Sequence, residues 1–300
     1  PRSTPSNSSA ASDVYKRQIV LTNSERERIV RDAIDLMRNI RYVNAGTVEM
    51  LFDLRTRQYH FMEINARLQV EHPVTEMITG VDIVKQQLLI GLENNMTIKQ
   101  DDVKIHGHAI EVRIYAENPF TLMPSPGTIE EYIEPNGPGI RVDSGVTRGS
   151  TVPAEYNPLI AKLIAWAPTR DEAIRRMIRA LSEYIIIGIE TNILMLKNII
   201  EHEVFMKAQH TTKFLDKYIS EITQKIKEWE KIHAIAISIV SMRSLNGFRS
   251  IMPVKSLRTI DSHKLYTLKR RAWTYWSALK SRVKRARIEK AGKNKNRLVK

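Results

Sequence analysis

The side chains best suited to chemistry lie in residues 62–71, MEINARLQVE, where apolar and polar residues alternate without a break. A period of two is typical of a β-strand with one buried face and one open face. The polar positions carry two carboxylates, two amides and a guanidinium, in the order Glu63, Asn65, Arg67, Gln69 and Glu71. Oxygen ligands beside a guanidinium suit a site that binds a metal ion, a phosphate or another small anion.

A further carboxylate, Glu49, lies in the preceding segment. Residues 47–52 and 58–65 predict two strands joined by a short polar connection, which indicates a hairpin. In a hairpin centred on Thr56, Glu49 lies opposite Glu63 with the two Cβ atoms roughly 5 Å apart. Carboxylates at that distance repel each other unless they share a proton or a cation. With an oxygen from Asn65 they predict a site for Mg²⁺ or Mn²⁺, and an exposed strand with incidental acidic residues is the alternative.

The alternating segment is too long to serve one reaction centre as a straight strand. Eight residues of extended chain would separate Glu63 from Glu71 by about 26 Å. The chain must therefore bend after Asn65, so that a metal-binding end and an anion-binding end lie side by side. In that arrangement Arg67 offers a planar fork to an oxyanion, and Glu71 is a candidate general base.

The composition excludes several kinds of site. The sequence has no cysteine, which excludes disulfides, thiolate metal sites and cysteine nucleophiles. The hydrophobic fraction of 42% and the charged fraction of 27% are ordinary for a globular protein. The longest apolar run, residues 232–240, is too short to span a bilayer. We therefore expect a cytoplasmic protein with no membrane partner.

The net charge of +14 is concentrated in one part of the chain. Residues 219–300 contain 21 Lys and Arg against 5 Asp and Glu, whereas the preceding residues are close to neutral. Trp273 and Trp276 lie among these cations, a pattern that can bind single-stranded nucleic acid or an acidic membrane surface. The favoured alternative is an amphipathic extension that docks on partner subunits, or a partly disordered tail. We therefore expect no nucleic-acid partner.

The other segments predict an α+β protein without internal repeats. Ser24 and Glu27 have the spacing of a capping box at the start of a helix. Strands are predicted at residues 108–116, 128–133, 140–144 and 159–167, and helices from residue 74 or 82 to 92, at 170–182 and at 191–201. Residues 1–18 carry no periodicity and are expected to be a disordered or artefactual leader.

The candidate site residues belong to longer strings that resemble biotin carboxylase, the ATP-grasp component of biotin-dependent carboxylases. The longest string, FMEINARLQVEHPVTE at residues 61–76, is chemically constrained along its whole length. The other strings are EMLF at 49–52, EVRIYAE at 111–117, PSPG at 124–127 and YNPLIAKL at 156–163. The resemblance covers residues from about 19 to 218.

The resemblance implies that the protein uses ATP, Mg²⁺ or Mn²⁺, and bicarbonate. In the family, ATP and bicarbonate form carboxyphosphate, and the CO₂ released from it reacts with biotin on a carrier protein. Glu49, Glu63 and Asn65 would bind the metal ion. Leu51 would pack against adenine, and residues 212–213 fall near the adenine end of the family site.

The same resemblance assigns the anion-binding end. Arg67, Gln69 and the backbone of Val70 would hold bicarbonate, and Glu71 would remove its proton. Arg113 would stabilise the negative charge that develops on the ureido oxygen of biotin, in keeping with the catalytic weight of preorganised positive charge.

The resemblance also implies a domain organisation. Residues 19–105 would form the C-terminal part of an ATP-grasp domain, residues 106–218 the biotin carboxylase C-terminal domain, and residues 219–300 a basic helical tail. The family's N-terminal domain and glycine-rich lid have no counterpart before Ser24. We therefore expect this chain to correspond to the C-terminal half of the enzyme and to be inactive alone.

The expected partners are a biotin carboxyl carrier protein, a second copy of the chain in a homodimer, and a carboxyltransferase subunit. Arg141 corresponds to a position at the family's dimer interface. Another ATP-grasp ligase, such as a carbamoyl-phosphate-type enzyme, is the alternative within the same fold, and the string QVEH at residues 69–72 argues against it. A non-catalytic assembly or nucleic-acid-binding protein is the alternative from another class.

Overall fold

The structure is a computed structural model that describes residues 21–53, 55–93, 95–211 and 213–245. The chain divides into two compact units, Pro1–Tyr218 and Ile219–Lys300. The expectations for the leader at residues 1–18, for Thr212 and for residues 246–300 lie outside the described residues. The first unit has the mixed α+β composition that the sequence predicts.

Helix α1 spans Asn23–Asn39, and its N-cap lies two residues before the predicted one. Thr22 is its N-cap: Thr22 Oγ1 accepts from the Glu25 N–H at 3.3 Å, and the Glu25 carboxylate accepts from the Thr22 N–H at 2.8 Å. The predicted capping box on Ser24 is therefore wrong. Arg57 Nε also donates to Glu25 at 2.9 Å, and hydrogen bonding from Arg57 is the main reason that the pKa of Glu25 falls to about 2.

The predicted hairpin is formed by strands β1 (Thr47–Phe52) and β2 (Tyr59–Asn65). Glu49 lies opposite Glu63 in the antiparallel register, as the hairpin predicts. The register shifts directly after this pair, which leaves Met62 as the extra residue of a β-bulge. Strand β2 ends at Asn65, so only the first part of the alternating segment is a strand and the predicted bend is confirmed.

The chain then enters helix α2 (His72–Thr79), which is followed by helix α3 (Ile83–Glu93). Two helices thus occupy the segment in which one was predicted. Gly80 ends α2 in the left-handed conformation, with φ of 72°, which turns the chain between them. Glu76 of α2 accepts from the Ile83 N–H at 2.8 Å and so fixes the start of α3.

The largest sheet has three antiparallel strands in the order β3-β8-β6. These strands are β3 (His108–Tyr115), β6 (Ile140–Ser144) and β8 (Leu159–Ala167), close to the predicted ranges. The strand predicted at 128–133 is instead divided into β4 (Gly127–Thr128), paired with β7 (Thr151–Val152), and β5 (Glu131–Ile133), paired with β9 (Ile185–Ile187). The division occurs where the chain changes partner, because the Ile129 N–H donates to Ser150 and the Glu130 N–H donates to Ile187.

Helix α2 packs on one face of this sheet. Val74 and Ile78 of α2 form a buried cluster with Ala109 of β3 and Ile164 of β8. Successive residues of a strand point to opposite faces of the sheet, so the chain neighbours of Ala109 and Ile164 point to the other face. Helix α4 (Arg170–Glu183) also contacts β3 and β8. The packing of α2 fixes the position of the segment directly before it, residues 66–71.

Three further helices complete the described chain: α5 (Ile193–Ile200), α6 (Glu203–Met206) and α7 (Phe214–Leu245). Helix α5 lies within the range predicted at 191–201. Helix α7 covers the start of the predicted basic helical tail. Within the described ranges, no helix combines the length and the apolarity needed to cross a membrane.

Candidate active site

The two opposed carboxylates of the hairpin share the side chain of Asn65. Asn65 Nδ2 donates to Glu49 Oε1 at 2.8 Å and to Glu63 Oε1 at 3.2 Å. These hydrogen bonds offset part of the repulsion between two like charges on directly opposed strand residues. Asn65 Oδ1 accepts from Arg67 Nη2 at 3.3 Å, so this oxygen can ligate a cation beside the carboxylates only after the amide turns over.

The bend after β2 returns the next polar side chains to this pair. Gln69 Nε2 donates to the same oxygen, Glu49 Oε1, at 3.3 Å. Arg67 is exposed, and its Nη1 donates to the Leu68 carbonyl oxygen at 3.1 Å. The predicted metal-binding end and the start of the predicted anion-binding end are therefore adjacent, as the length of the segment predicts.

The last residue of the segment, Glu71, forms an ion pair with Arg113 of β3. Arg113 Nη2 donates to Glu71 Oε2 at 2.9 Å, and the Arg113 and Glu71 side chains are only 22% and 30% exposed. Glu71 is also the N-cap residue of α2, and the partial positive charge of a helix N-terminus favours a carboxylate there. A carboxylate in this position can accept a proton from a ligand bound along residues 67–70.

Arg113 is one end of a row of charged residues that crosses the three-stranded sheet. Arg113 on β3 lies opposite Lys162 on β8, and Lys162 lies opposite Asp143 on β6. Lys162 Nζ is 3.1 Å from Asp143 Oδ2 and donates to the carbonyl oxygen of Val70 at 3.2 Å. The row therefore contacts two successive residues, Val70 and Glu71, of the loop formed by residues 66–71.

Arg141, the expected dimer-interface residue, binds to this row within the chain. Arg141 donates through Nε and Nη2 to Asp143 at 2.7 and 3.0 Å, and through Nη1 to Glu76 of α2 at 2.7 Å. Burial works to raise the pKa of Asp143, but hydrogen bonds from Arg141 and Lys162 outweigh it and hold that pKa below its usual value. Arg141 thus links the sheet to the helix that follows the loop.

The donor set at the metal end consists of two carboxylates and one amide. Across the described residues, no group of three or more His, Asp and Glu side chains is placed to hold a metal ion. Mg²⁺ usually keeps several waters and is bound through one or two carboxylates plus substrate phosphates. Glu49 and Glu63 therefore fit an ion that arrives with phosphate oxygens better than an all-protein metal site.

The remaining predicted residues have the following places. Leu51 lies on β1 with 59% of its surface exposed. Val70 contributes its carbonyl oxygen to Lys162 and precedes the N-cap of α2. The predicted metal and bicarbonate residues form two hydrogen-bonded groups. The first consists of Glu49, Glu63, Asn65, Arg67 and Gln69, and the second of Glu71 with Arg113.

Two kinds of supporting residue were not predicted from the sequence. Lys162 and Asp143 hold the loop from the sheet, and the available signal was a single lysine inside the apolar nine-residue strand β8. Asn192 is fully buried; its Nδ2 donates to the Arg113 carbonyl at 3.1 Å and its Oδ1 accepts from the Tyr115 N–H at 2.9 Å. Asn192 thereby fixes the end of β3 that carries Arg113.

Two family models match separate parts of the chain. The ATP binding domain of the carbamoyl-phosphate synthase L chain matches residues 17–99, which include Glu49, Glu63 and Glu71. The biotin carboxylase C-terminal domain matches residues 111–217, which include Arg113 and Lys162. Biotin carboxylase 1 of Bacillus subtilis (strain 168) is 47% identical over 199 residues, which cover 66% of this chain and 44% of that protein. The chain belongs to the biotin carboxylase family.

Other members of the biotin carboxylase family give the same picture. The biotin carboxylase of Haemophilus influenzae is 51% identical over 178 residues, which cover 59% of this chain and 39% of that protein. The biotin carboxylase domain dimer of the Hydrogenobacter thermophilus 2-oxoglutarate carboxylase, solved with MgADP, ADP and bicarbonate, matches with a TM-score of 0.66 and 41% identity. That match covers 69% of this chain and 46% of the other. The chain thus spans less than half the length of these biotin carboxylases.

Proposed function

We propose that this chain carries the metal-binding and bicarbonate-binding part of a biotin carboxylase, which uses ATP and bicarbonate to carboxylate biotin on a carrier protein. The observation that carries the proposal is the Glu71–Arg113 ion pair at the end of a loop whose beginning bears the Glu49–Asn65–Glu63 cluster. The hairpin carboxylates and the Glu71–Arg113 pair lie at the two ends of residues 63–71, which supports assigning the metal ion to one end and the proton transfer to the other.

The metal end is assigned to the nucleotide. Glu49 and Glu63, with Asn65, would hold Mg²⁺ or Mn²⁺ that neutralises charge on the phosphates of ATP. The hydrogen bonds of Asn65 keep the two carboxylates together. Leu51 is assigned to the adenine, in keeping with a large apolar side chain exposed on the same strand as Glu49.

The anion end is assigned to bicarbonate. Arg67 presents a planar guanidinium at the surface, Gln69 an amide, and Val70 a backbone N–H, and together these donors suit a flat oxyanion. Glu71 takes the bicarbonate proton, and a bicarbonate oxygen attacks the γ-phosphorus of ATP, which breaks the bond to the β–γ bridging oxygen, releases ADP and gives carboxyphosphate. Proton removal by a positioned carboxylate typically contributes about 10²–10⁴ in rate.

Arg113 is assigned to biotin. Its guanidinium lies beside Glu71 and remains partly exposed to solvent, so it can stabilise an oxyanion on an incoming ureido ring and still stay close to the base. The same two residues would therefore act at successive steps. Their ion pair keeps both side chains in place before the substrates bind.

The domain boundaries, the partners and the compartment belong to the same proposal. Residues 19–105 are assigned to the ATP-grasp domain, 106–218 to the biotin carboxylase C-terminal domain and 219–300 to a basic helical tail. The partners are a biotin carboxyl carrier protein, a second copy that contacts Arg141, and a carboxyltransferase subunit. The compartment is the cytoplasm.

The test is an ATP-turnover assay on the complete gene product. We expect ATP hydrolysis to require bicarbonate and to be accompanied by incorporation of ¹⁴C-bicarbonate into biotin. ATP turnover that is independent of bicarbonate would contradict the proposal. The 300-residue chain assayed alone provides the comparison, since we expect it to be inactive.

A further inference from the structure

We propose that Lys162 and His72 are positioning residues, which fix the two peptide groups on either side of Val70 and so present the loop to bicarbonate. The inference rests on the proposed function for the identity of the anion. Its structural part is the restraint of residues 69–71 by His72 and Lys162, and this part depends only on the contacts in the structure.

Two successive carbonyl groups of the loop are held. The Gln69 carbonyl oxygen lies 2.8 Å from His72 Nδ1, which must carry the proton because a carbonyl only accepts, and 3.3 Å from the His72 backbone nitrogen. The Val70 carbonyl oxygen accepts from Lys162 Nζ at 3.2 Å. Both donors belong to regular structure, since His72 begins α2 and Lys162 lies within β8.

Holding these carbonyls also sets the direction of two N–H groups. In a planar trans peptide the C=O and N–H bonds point in opposite directions. The Gln69 carbonyl shares its plane with the Val70 N–H, and the Val70 carbonyl shares its plane with the Glu71 N–H. His72 and Lys162 therefore turn the Val70 and Glu71 N–H groups away from themselves, and Lys162 also helps to orient the residue that carries the base.

Lys162 is itself held before any ligand binds. Its side chain is 14% exposed and lies 3.1 Å from Asp143, whose two oxygens also accept from Arg141. Arg141 in turn binds Glu76, on the same helix as His72. Because the ammonium group is already immobilised by Asp143, holding the Val70 carbonyl costs little additional side-chain entropy.

Lys162 and Arg113 are neighbouring cations with different binding partners. They are direct cross-strand neighbours, and such pairs of like charge destabilise a sheet unless anions compensate them. Asp143 compensates Lys162, and Glu71 compensates Arg113. Lys162 therefore binds the backbone of the loop at the Val70 carbonyl, and Arg113 is the cation of this pair that a ligand can reach.

The first test measures the restraint in the 300-residue chain by amide hydrogen exchange. In the Lys162→Met variant Asp143 keeps Arg141, so the fold should persist while exchange of the His72 and Val74 N–H groups, which donate to the Gln69 and Glu71 carbonyls, becomes about tenfold faster or more. Lys197→Met on α5 is the matched control, because the Lys197 side chain is also 14% exposed and forms an ion pair, at 3.3 Å, with Glu201, the C-cap residue of α5. Unchanged exchange in the loop, or equal acceleration in the control, would overturn the restraint.

The second test uses steady-state kinetics of the complete gene product. We expect Lys162→Met to raise the KM for bicarbonate about tenfold or more, with the KM for ATP nearly unchanged, and Lys162→Arg to restore most of the loss. His72→Asn, which keeps a donor near Nδ1, should likewise outperform His72→Phe. If kcat and both KM values change together, or if neither conservative variant restores function, the residues are general structural supports and the inference is wrong.

The two tests separate this inference from the proposed function. If the wild-type protein binds no bicarbonate but the Lys162→Met variant shows the expected acceleration of exchange, the function is refuted and the restraint stands. If ATP turnover requires bicarbonate but Lys162→Met leaves amide exchange in the loop unchanged, the inference is refuted and the function stands.

Discussion

Arg113 and Glu71 lie 42 residues apart in the chain, yet Arg113 Nη2 is 2.9 Å from Glu71 Oε2. The contact joins strand β3, which carries Arg113, to the N-cap of α2. It places the proposed base and the proposed oxyanion-stabilising group within one hydrogen bond of each other. Two variants separate their roles.

Replacing Glu71 by Gln should reduce bicarbonate-dependent ATP turnover by about 10²–10⁴-fold, because an amide cannot take up the bicarbonate proton. The amide oxygen can still accept from Arg113, so the fold and ATP binding should be preserved. Turnover and nucleotide affinity are measured on the complete gene product. Glu203→Gln on α6, which alters an exposed carboxylate paired with Lys207, is the control, and unchanged turnover in Glu71→Gln would remove Glu71 as the base.

Replacing Arg113 by Met should affect the second step more than the first. Loss of one preorganised cation at a developing oxyanion typically costs about 10²–10³ in rate. We therefore expect biotin carboxylation to fall by that factor, while ATP cleavage dependent on bicarbonate falls less. Parallel assays of ADP release and carboxybiotin formation measure the ratio, and an equal decrease in both would contradict the assignment to biotin.

Replacing Glu63 by Gln should weaken divalent-cation binding in the presence of ADP by at least about tenfold, since one of two anionic ligands is lost. Electron paramagnetic resonance of Mn²⁺ measures the affinity directly, without turnover. Glu27→Gln on the exposed surface of α1 is the matched control. Equal Mn²⁺ affinity in the two variants would show that the hairpin carboxylates do not hold the ion.

Asp143 gives a prediction for pH. Its pKa is below the usual value, so its ionised form stabilises the folded state above about pH 3.9, and this stabilisation is lost as the pH falls below that value. Asp143→Asn should therefore lower the free energy of unfolding at pH 7 by about 1–3 kcal/mol and show a shallower loss below about pH 4 than wild type. Urea unfolding at several pH values measures both, with Asp35→Asn in an exposed ion pair as control.

The N-terminal cap of α1 gives a prediction that distinguishes two neighbouring residues. Thr22→Ala should reduce the stability of α1 by about 1 kcal/mol, because the helix loses the side chain that accepts from the Glu25 N–H. Ser24→Ala should change it by less than about 0.5 kcal/mol. Hydrogen exchange of residues 23–30 measures both variants, and a larger effect for Ser24 would restore the capping box that the spacing suggested.

The sequence predicts best where the information is local. Strands β6 and β8 match their predicted ranges, because each follows a Gly- or Pro-rich turn; β6 alternates apolar and polar residues, and β8 is a largely apolar run. The opposition of Glu49 and Glu63 was predictable from hairpin symmetry, whereas the bulge at Met62 was not. A bulge depends on the local twist of the pair and leaves no compositional mark.

Prediction fails where a distant residue decides between equivalent local patterns. Thr22 with Glu25 and Ser24 with Glu27 have the same capping-box spacing. The structure selects the first, and Arg57, which lies 32 residues away from Glu25, holds that glutamate in place. The same reason explains why Lys162 was missed: its role depends on the register of three strands and on the packing of α2, neither of which is local in sequence.

The loop and the residues that hold it come from the two segments that match different family models. Residues 69–71 lie in the first segment, and Lys162 and Arg113 lie in the second. A recombinant that exchanges one segment at a crossover near residue 105 would therefore combine a loop with foreign anchors. Such hybrids should be functional only when the parents agree at Arg113, Lys162 and Asp143, so these three positions set which parents can be recombined.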